Sequence, residues 1–106
     1  MANNERTLQQ VKLPKIVQDA LKDYAKANNL TLNDSYDAIF EWFLKYRSLK
    51  TTFFYFACPM EGDYKSMWPS VNRVEKIKSL AKKDKTQVNR VVFTAIVLFL
   101  QEHRKL

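Results

Sequence analysis

The sequence contains few of the residues on which enzyme active sites depend. It has one histidine, one cysteine and one glycine in 106 residues, and it shows no glycine-rich phosphate loop, paired-carboxylate motif or metal-ligand spacing. A solvated helix end is the simpler interpretation of His103, and a packed side chain is the simpler interpretation of Cys58. We therefore expect a protein that is not an enzyme and that needs no metal or cofactor.

The same scarcities restrict location and fold class. A single cysteine excludes an intrachain disulfide, which favours a reducing cytoplasm. The opening MANNERT is polar and does not resemble a signal peptide. The most apolar run, Val91–Leu100, has about half of the roughly 20 residues that a membrane helix needs, so we expect a buried core helix there and no membrane partner. We expect residues 1–106 to form one mainly helical domain.

Acidic residues are the minority among the charges. The chain has 18 Lys and Arg against 11 Asp and Glu, a net charge of +7. Residues 1–50 hold eight basic and six acidic residues, and residues 51–106 hold ten and five. Such a balance favours an anionic partner, either nucleic acid or a membrane surface.

A pair of helical patterns separated by a polar turn occurs twice, at a constant offset of 56 residues. The first copy covers residues 8–47 and the second covers residues 64–103. Apolar positions of the longer helix in the first copy are Leu32, Tyr36, Ile39, Phe40, Phe43 and Leu44. Their counterparts are Val88, Val92, Ala95, Ile96, Phe99 and Leu100. A match without gaps through two helices and the turn favours duplication over chance similarity.

Each copy is predicted to contain a strand and two helices. In the first copy the strand covers Leu8–Leu13, the first helix covers Lys15–Asn28 and the second covers Leu32–Arg47. Thr31 is predicted to cap the second helix, and Thr86 is predicted to cap its counterpart.

The connecting residues 48–63 have no counterpart in the repeat. Their aromatic TTFFYFACP and turn-forming PMEGD, followed by YKSMW, predict an extra β-hairpin with Phe53–Ala57 buried against helices. A different interpretation is an antitoxin-like protein-interaction module that docks a partner through Phe53–Phe56.

The alternating QVKLP and the LTLNDS and TQVNRV turns resemble the ribbon–helix–helix family, the Arc and MetJ type of DNA-binding protein. Two copies in one chain are similar to conjugation accessory proteins of the TraY type, in which the usual homodimer is fused into one polypeptide. The resemblance implies a tandem pseudo-dimer with a short antiparallel β ribbon. It also implies sequence-specific binding of double-stranded DNA, as a transcriptional repressor or a relaxosome accessory factor of plasmid transfer. Self-association, or a protein partner on DNA, stays open.

The resemblance further implies that the outer ribbon face contacts bases in the major groove and that the second helix of each copy meets phosphates with its N-terminus. Gln10 and Lys12 have the side chains for base contacts in the first strand, because Gln pairs with adenine and Lys donates to guanine. The candidate phosphate-binding residues are Arg6, Thr31, Asn33, Thr86, Asn89 and Arg90.

Two alignments of the second ribbon strand are open. The constant offset turns Tyr64, Ser66 and Trp68 outward. Aligning Pro69 with Pro14 instead turns Lys65 and Met67 outward and buries Trp68. We expect the second arrangement, because burying Trp and exposing Lys is energetically favourable. Lys65 and Met67 are therefore the predicted base-contacting residues of the second strand.

Overall fold

A computed structural model describes residues 5–106, and in this part of the chain it contains four helices and a two-stranded antiparallel sheet. The elements in chain order are β1 (Gln9–Leu13), α1 (Lys15–Ala27), α2 (Leu32–Ser48), β2 (Asp63–Met67), α3 (Val71–Lys83) and α4 (Val88–Glu102). The predicted class, mainly helical with a short antiparallel ribbon, is confirmed. No helix within residues 5–106 is long and apolar enough to cross a membrane.

The offset of 56 residues is present in the backbone. Helices α1 and α3 begin 56 residues apart (71 − 15 = 56), and so do α2 and α4 (88 − 32 = 56). The turns between the helices also correspond, because Asn29 and Lys85 both adopt left-handed conformations, with φ of 58° and 55°. After each of them, a backbone N–H donates to the carbonyl five residues earlier at 2.9 Å, from Leu30 and from Thr86. This bond closes a helix C-terminus in the Schellman manner.

The two strands pair antiparallel and bury one face of the ribbon. Gln10 lies opposite Ser66, and Lys12 lies opposite Tyr64. On the inner face, Val11 is 1% exposed and both Leu13 and Met67 are fully buried. These apolar side chains pack with the helices, because side chains alternate between the two faces of a strand.

The core lies between α2 and α4, beneath the inner face of the ribbon. Its repeat-related members are almost completely buried on both helices: Ile39, Phe40 and Phe43 on α2, and Ala95, Ile96 and Phe99 on α4. Burying a large apolar side chain contributes roughly 1.5–3 kcal/mol, so this layer is a main source of stability. The core also includes Leu21 of α1 and Ile77 of α3. All six elements therefore contribute to one hydrophobic core.

The connecting segment, residues 49–62, forms no strand, so the predicted extra hairpin is wrong. The strand that follows it, β2, pairs with β1 instead. The backbone of the segment is held by α4, because Arg90 donates to the carbonyls of Tyr55 and Phe56, and Thr94 Oγ1 accepts from the Phe56 N–H. Such contacts with side chains replace the ladder that a second strand would have provided.

The aromatic residues of the connecting segment alternate between core and solvent, so the prediction that Phe53–Ala57 is buried holds only in part. Phe53 and Tyr55 contact Phe43, with ring centroids 5.6 and 6.2 Å apart. Phe54 is 86% exposed and Phe56 is 40% exposed. The segment therefore covers the core with one face and presents aromatic rings to solvent with the other.

An ionic cluster attaches this segment to both copies of the repeat. Asp84, at the end of α3, accepts from Arg47 Nε at 2.9 Å and Nη2 at 3.1 Å, and from the Tyr55 hydroxyl. Burial raises the pKa of Tyr55 to about 12, and the bond to Asp84 acts in the same direction. Burial alone would raise the pKa of Asp84, but the bonds from Tyr55 and Arg47 outweigh it and hold that pKa below its ordinary value.

The only glycine of the chain lies where the connecting segment meets β2. Gly62 has a φ of 114°, which L side chains rarely adopt. A Cβ at this position would also collide with the carbonyl of Leu13. The close approach of the two backbones at the end of the ribbon therefore requires glycine.

Candidate nucleic-acid interface

The outer ribbon face carries polar side chains at its centre. Gln10 is exposed, and its Nε2 donates to the Ser66 hydroxyl at 3.1 Å. These two residues are repeat-related (66 − 10 = 56) and lie opposite each other in the sheet. The amide oxygen and the second Nε2 hydrogen of Gln10 remain available, because a side-chain amide has two donors and one acceptor oxygen.

Lys12 and Tyr64 form one end of this face. Lys12 Nζ donates to the Met60 carbonyl at 2.7 Å and lies 5.8 Å from the centroid of the Tyr64 ring. An ammonium group has three donors, so two remain for another partner. The connecting segment thus fixes the position of the one basic side chain on this face of β1.

The second strand has the orientation that we did not expect. Met67 is fully buried and Lys65 lies on the same inner face, where it is half-buried, whereas Tyr64 is 67% exposed and Trp68 is 46% exposed. The predicted outward orientation of Lys65 and Met67 is therefore wrong. The offset of 56 holds through the strand, and Tyr64, Ser66 and Trp68 face outward.

The two prolines do not occupy equivalent positions, which explains the error. Pro14 is the N-cap of α1, and its counterpart as the N-cap of α3 is Ser70. Pro69 is buried and takes the position of Leu13, at the inner end of its strand. Aligning proline with proline displaced the whole strand by one residue, and a one-residue displacement exchanges the faces of a strand.

Arg6 lies beside the ribbon and is engaged with acidic residues of α2. Its guanidinium contacts Asp34 at 3.1 Å and Asp37 at 3.0 Å. It also donates to the Trp68 carbonyl at 2.8 Å. Arg6 therefore joins the chain before β1, the end of β2 and the first turns of α2, and it must exchange an acidic partner to contact a phosphate.

The N-terminus of α2 has the predicted cap. Thr31 Oγ1 accepts from the Asp34 N–H at 3.1 Å, which satisfies one of the unpaired N–H groups of the first turn. Asn33 Oδ1 accepts from the Trp68 N–H at 3.1 Å. This bond keeps the start of α2 next to the ribbon.

The N-terminus of α4 is organised differently, and the predicted cap is wrong. Gln87 is the N-cap and makes no capping bond with its side chain. The hydroxyl of Thr86 is buried, and no described residue hydrogen-bonds to it. Left-handed Lys85 precedes Thr86, so the cap falls one residue later, at the position that Thr31 occupies in α2 (87 − 31 = 56).

Two further residues of the first turn of α4 were candidates for phosphate contact. Asn89 Oδ1 accepts from Gln9 Nε2 at 3.0 Å, so α4 also begins beside the ribbon. Arg90 is occupied by the carbonyls of Tyr55 and Phe56. An open groove of about 440 Å³ lies next to this turn, and its basic lining residues are Lys82, Lys85 and Arg90.

The surroundings of the two helix starts differ in charge. Asp34 and Asp37 lie in the first turns of α2, and Arg90 and Phe93 occupy the corresponding positions of α4. The side of the ribbon next to α4 is therefore the more basic one. An anion is attracted more strongly there, because the positive end of the helix dipole is supported by lysine and arginine.

Sequence reasoning identified Gln10 and Lys12 on the outer face and assigned Tyr64, Ser66 and Trp68 to the core side of the second strand. The signal that identifies these three was the uninterrupted offset of 56. Comparison with protein-family models, with curated proteins and with solved structures found no match. The interface must therefore be interpreted from its own chemistry.

Proposed function

We propose that the chain binds double-stranded DNA sequence-specifically by inserting the outer ribbon face into the major groove. The observation that carries this proposal is a two-stranded antiparallel ribbon whose exposed centre is the Gln10–Ser66 pair. The major groove admits a two-stranded β ribbon, and Gln and Ser side chains bind base edges there. The net charge of +7 supplies attraction to phosphates.

The positions of the two helix starts support the same proposal. Asn33 bonds to β2, and Asn89 bonds to the side chain of Gln9 in β1. Each contact keeps a helix N-terminus at one side of the ribbon. A ribbon in the groove would then have a helix start near the backbone on either side, where free N–H groups attract phosphate.

The order of elements, with strand, helix and helix used twice, supports a tandem ribbon–helix–helix arrangement in a single chain. Within this proposal the base-contacting set is Gln10, Lys12, Tyr64 and Ser66, and it no longer includes Lys65 and Met67. The phosphate contacts fall to the first turns of α2 and α4. The biological role is that of a transcriptional repressor or an accessory factor of plasmid transfer, located in the cytoplasm.

The experiment is a fluorescence-anisotropy titration of a duplex selected from a random library, with a random duplex as competitor. Lys12→Ala should weaken binding to the selected duplex by about 1–3 kcal/mol and change random-duplex binding much less. Lys45→Ala is the matched control, because Lys45 is an exposed lysine in the last turn of α2, away from the ribbon. A plot of log affinity against log salt should fall by about 0.9 per phosphate contacted. Equal effects of the two substitutions would contradict the proposal.

Docking of a protein partner through the connecting segment is a second candidate function. Phe54 is 86% exposed and Met60 is 91% exposed. Two large apolar side chains in one short segment favour a protein contact more than an isolated exposed residue does. DNA binding through the ribbon and docking through this segment use different faces and are compatible.

A further inference from the structure

The outer ribbon face consists of three cross-strand pairs with different chemistry. The sheet pairs Gln10 with Ser66 and Lys12 with Tyr64. The same register continues beyond the strands, because the Thr7 N–H donates to the Pro69 carbonyl at 3.1 Å. Leu8 is therefore opposite Trp68, and both are 46% exposed.

This face has a chemical direction. One end is apolar, with Leu8 and Trp68. The centre is a hydrogen-bonded amide and hydroxyl, and the other end combines the Lys12 ammonium with the Tyr64 ring. A ribbon of two identical strands would have identical ends, because its two-fold axis exchanges them. Here the repeat-related central pair stands between unlike ends.

The dimensions of the ribbon match the spacing of base pairs. Residues two apart on one face of a strand are separated by about 6.8 Å. Consecutive nucleotides of B-DNA rise by about 3.4 Å per strand. Neighbouring cross-strand pairs therefore correspond to contacts about two base pairs apart, and the three pairs span about five base pairs.

Each pair matches a different feature of the major groove. Apolar side chains contact the C5-methyl group of thymine, a glutamine amide pairs with N6 and N7 of adenine, and lysine donates to O6 and N7 of guanine. The bond from Gln10 to Ser66 leaves one Nε2 hydrogen and the amide oxygen, which is the donor and acceptor set that adenine needs. The bond from Lys12 to the Met60 carbonyl leaves two donors for guanine.

The apolar end is held in position by its backbone. The Trp68 N–H donates to Asn33, and the Trp68 carbonyl accepts from Arg6. Both bonds are made by the main chain, so the indole is held at the end of the ribbon while 46% of the residue stays exposed. Burying apolar surface against a methyl group from a prearranged position costs little conformational entropy.

We propose that the ribbon recognises a non-palindromic duplex, with thymine methyl groups at the Leu8–Trp68 end, adenine at the Gln10–Ser66 centre and guanine at the Lys12–Tyr64 end. This inference rests on the proposed function and specifies its substrate. The three contacts follow one another at intervals of about two base pairs. The protein therefore binds its site in one orientation only.

The test begins with selection of duplexes from a random library by the full chain. The expected result is a non-palindromic core with thymine on one side of adenine and guanine on the other. Thymines of the selected duplex are then replaced by deoxyuridine, which removes only the methyl group. Replacement at the thymine end should weaken binding about three- to five-fold for each contacted methyl, and replacement elsewhere should have no effect.

Variants connect each end of the site to its residues. Trp68→Ala and, independently, Leu8→Ala should bind the thymine and deoxyuridine duplexes with equal affinity. Lys12→Met should lose sensitivity to 7-deazaguanine at the guanine end and keep sensitivity to deoxyuridine at the other end. Thermal unfolding of each variant identifies any that fails to fold, and the remaining variants still decide the question.

The outcomes separate this inference from the proposed function. A selected duplex that is palindromic, or indifferent to deoxyuridine at every position, overturns the directional recognition and leaves DNA binding intact. Failure of the wild-type chain to select any duplex overturns both. A directional site whose deoxyuridine sensitivity is lost in the Leu8 and Trp68 variants supports both.

Discussion

Substituting Asp84 tests how the connecting segment is attached to the two copies of the repeat. Asp84→Asn keeps the size of the side chain and one oxygen acceptor, and it removes the negative charge. Three hydrogen bonds depend on that carboxylate, two from Arg47 and one from Tyr55. The substitution therefore leaves the Arg47 guanidinium without its ionic partner, and it weakens the bond that holds Tyr55.

The magnitude follows from the burial of the pair. The side chain of Asp84 is 11% exposed and that of Arg47 is 17% exposed. Hydrogen bonds to charged groups are worth about 1.5–3 kcal/mol, and breaking a completely buried pair costs about 3–5 kcal/mol. Because water still reaches both groups, we expect Asp84→Asn to lower the free energy of unfolding by about 1.5–3 kcal/mol.

The assay is guanidinium chloride unfolding, monitored by circular dichroism. Glu41→Gln is the matched control, because Glu41 accepts from Arg73 at the same distance, 2.9 Å, but its side chain is 71% exposed. Exposed ion pairs contribute little, so the midpoint of this control should hardly move. The slope of the transition should be the same in both variants, since neither changes the surface that unfolding exposes.

The effect should also depend on pH with a defined sign. The pKa of Asp84 is lowered in the folded protein, so its contribution is present above the unfolded pKa and disappears as the pH falls through the folded pKa. The stability difference between wild type and Asp84→Asn should therefore decrease in acid. Equal midpoints for Asp84→Asn and Glu41→Gln at neutral pH would refute the reasoning, and so would a difference that persists in strong acid.

Two further predictions concern the shared core and the connecting segment. Residues 1–50 expressed alone should be unfolded or self-associated in sedimentation and circular dichroism, because Ile39 and Phe40 lose their cover from α4. A monomeric fragment with a cooperative melting transition would contradict a core that needs both copies. Photo-cross-linking from position 54 in cells that express the chain should capture a partner protein if the connecting segment docks one, since Phe54 is 86% exposed. Position 26, occupied by the exposed Lys26 of α1, is the control, and equal labelling from both positions would count against docking.

The helices were predictable because their stabilising contacts are periodic in the sequence. The apolar positions of α2 and α4 follow the period of a helix and coincide after the offset of 56. Asn29 marked the end of α1, because asparagine tolerates a left-handed conformation. These features depend on neighbours within a few residues, which the sequence displays directly.

The orientation of β2 was not predictable from the hydrophobicity of single residues. Burying Trp68 looked favourable, but the pleat of the strand binds its residues together, so Trp68 could enter the core only if Met67 left it. Met67 and Pro69 fill the inner face instead. The offset of the repeat was the better guide, because it preserves the alternation of the whole strand.

The connecting segment and the arginines depended on residues far away in the sequence. Alternating aromatics at Phe53–Phe56 are typical of a strand. However, the hydrogen-bond partners of this backbone are side chains of α4, Arg90 and Thr94, more than 30 residues later. Arg6 is similarly paired with Asp34, 28 residues later. No local pattern indicates which of several acids and carbonyls such a side chain will meet.

The closure of one core within one chain has a consequence for mass action. Two separate copies of a half would have to find each other, and the fraction assembled would fall as the protein is diluted. Here Phe40 and Ile96 belong to the same polypeptide, so their contact forms in a unimolecular step whose equilibrium does not depend on concentration. A few molecules in a cell would be as completely assembled as a concentrated sample. Any steepness in a binding curve would then have to come from contacts between whole chains.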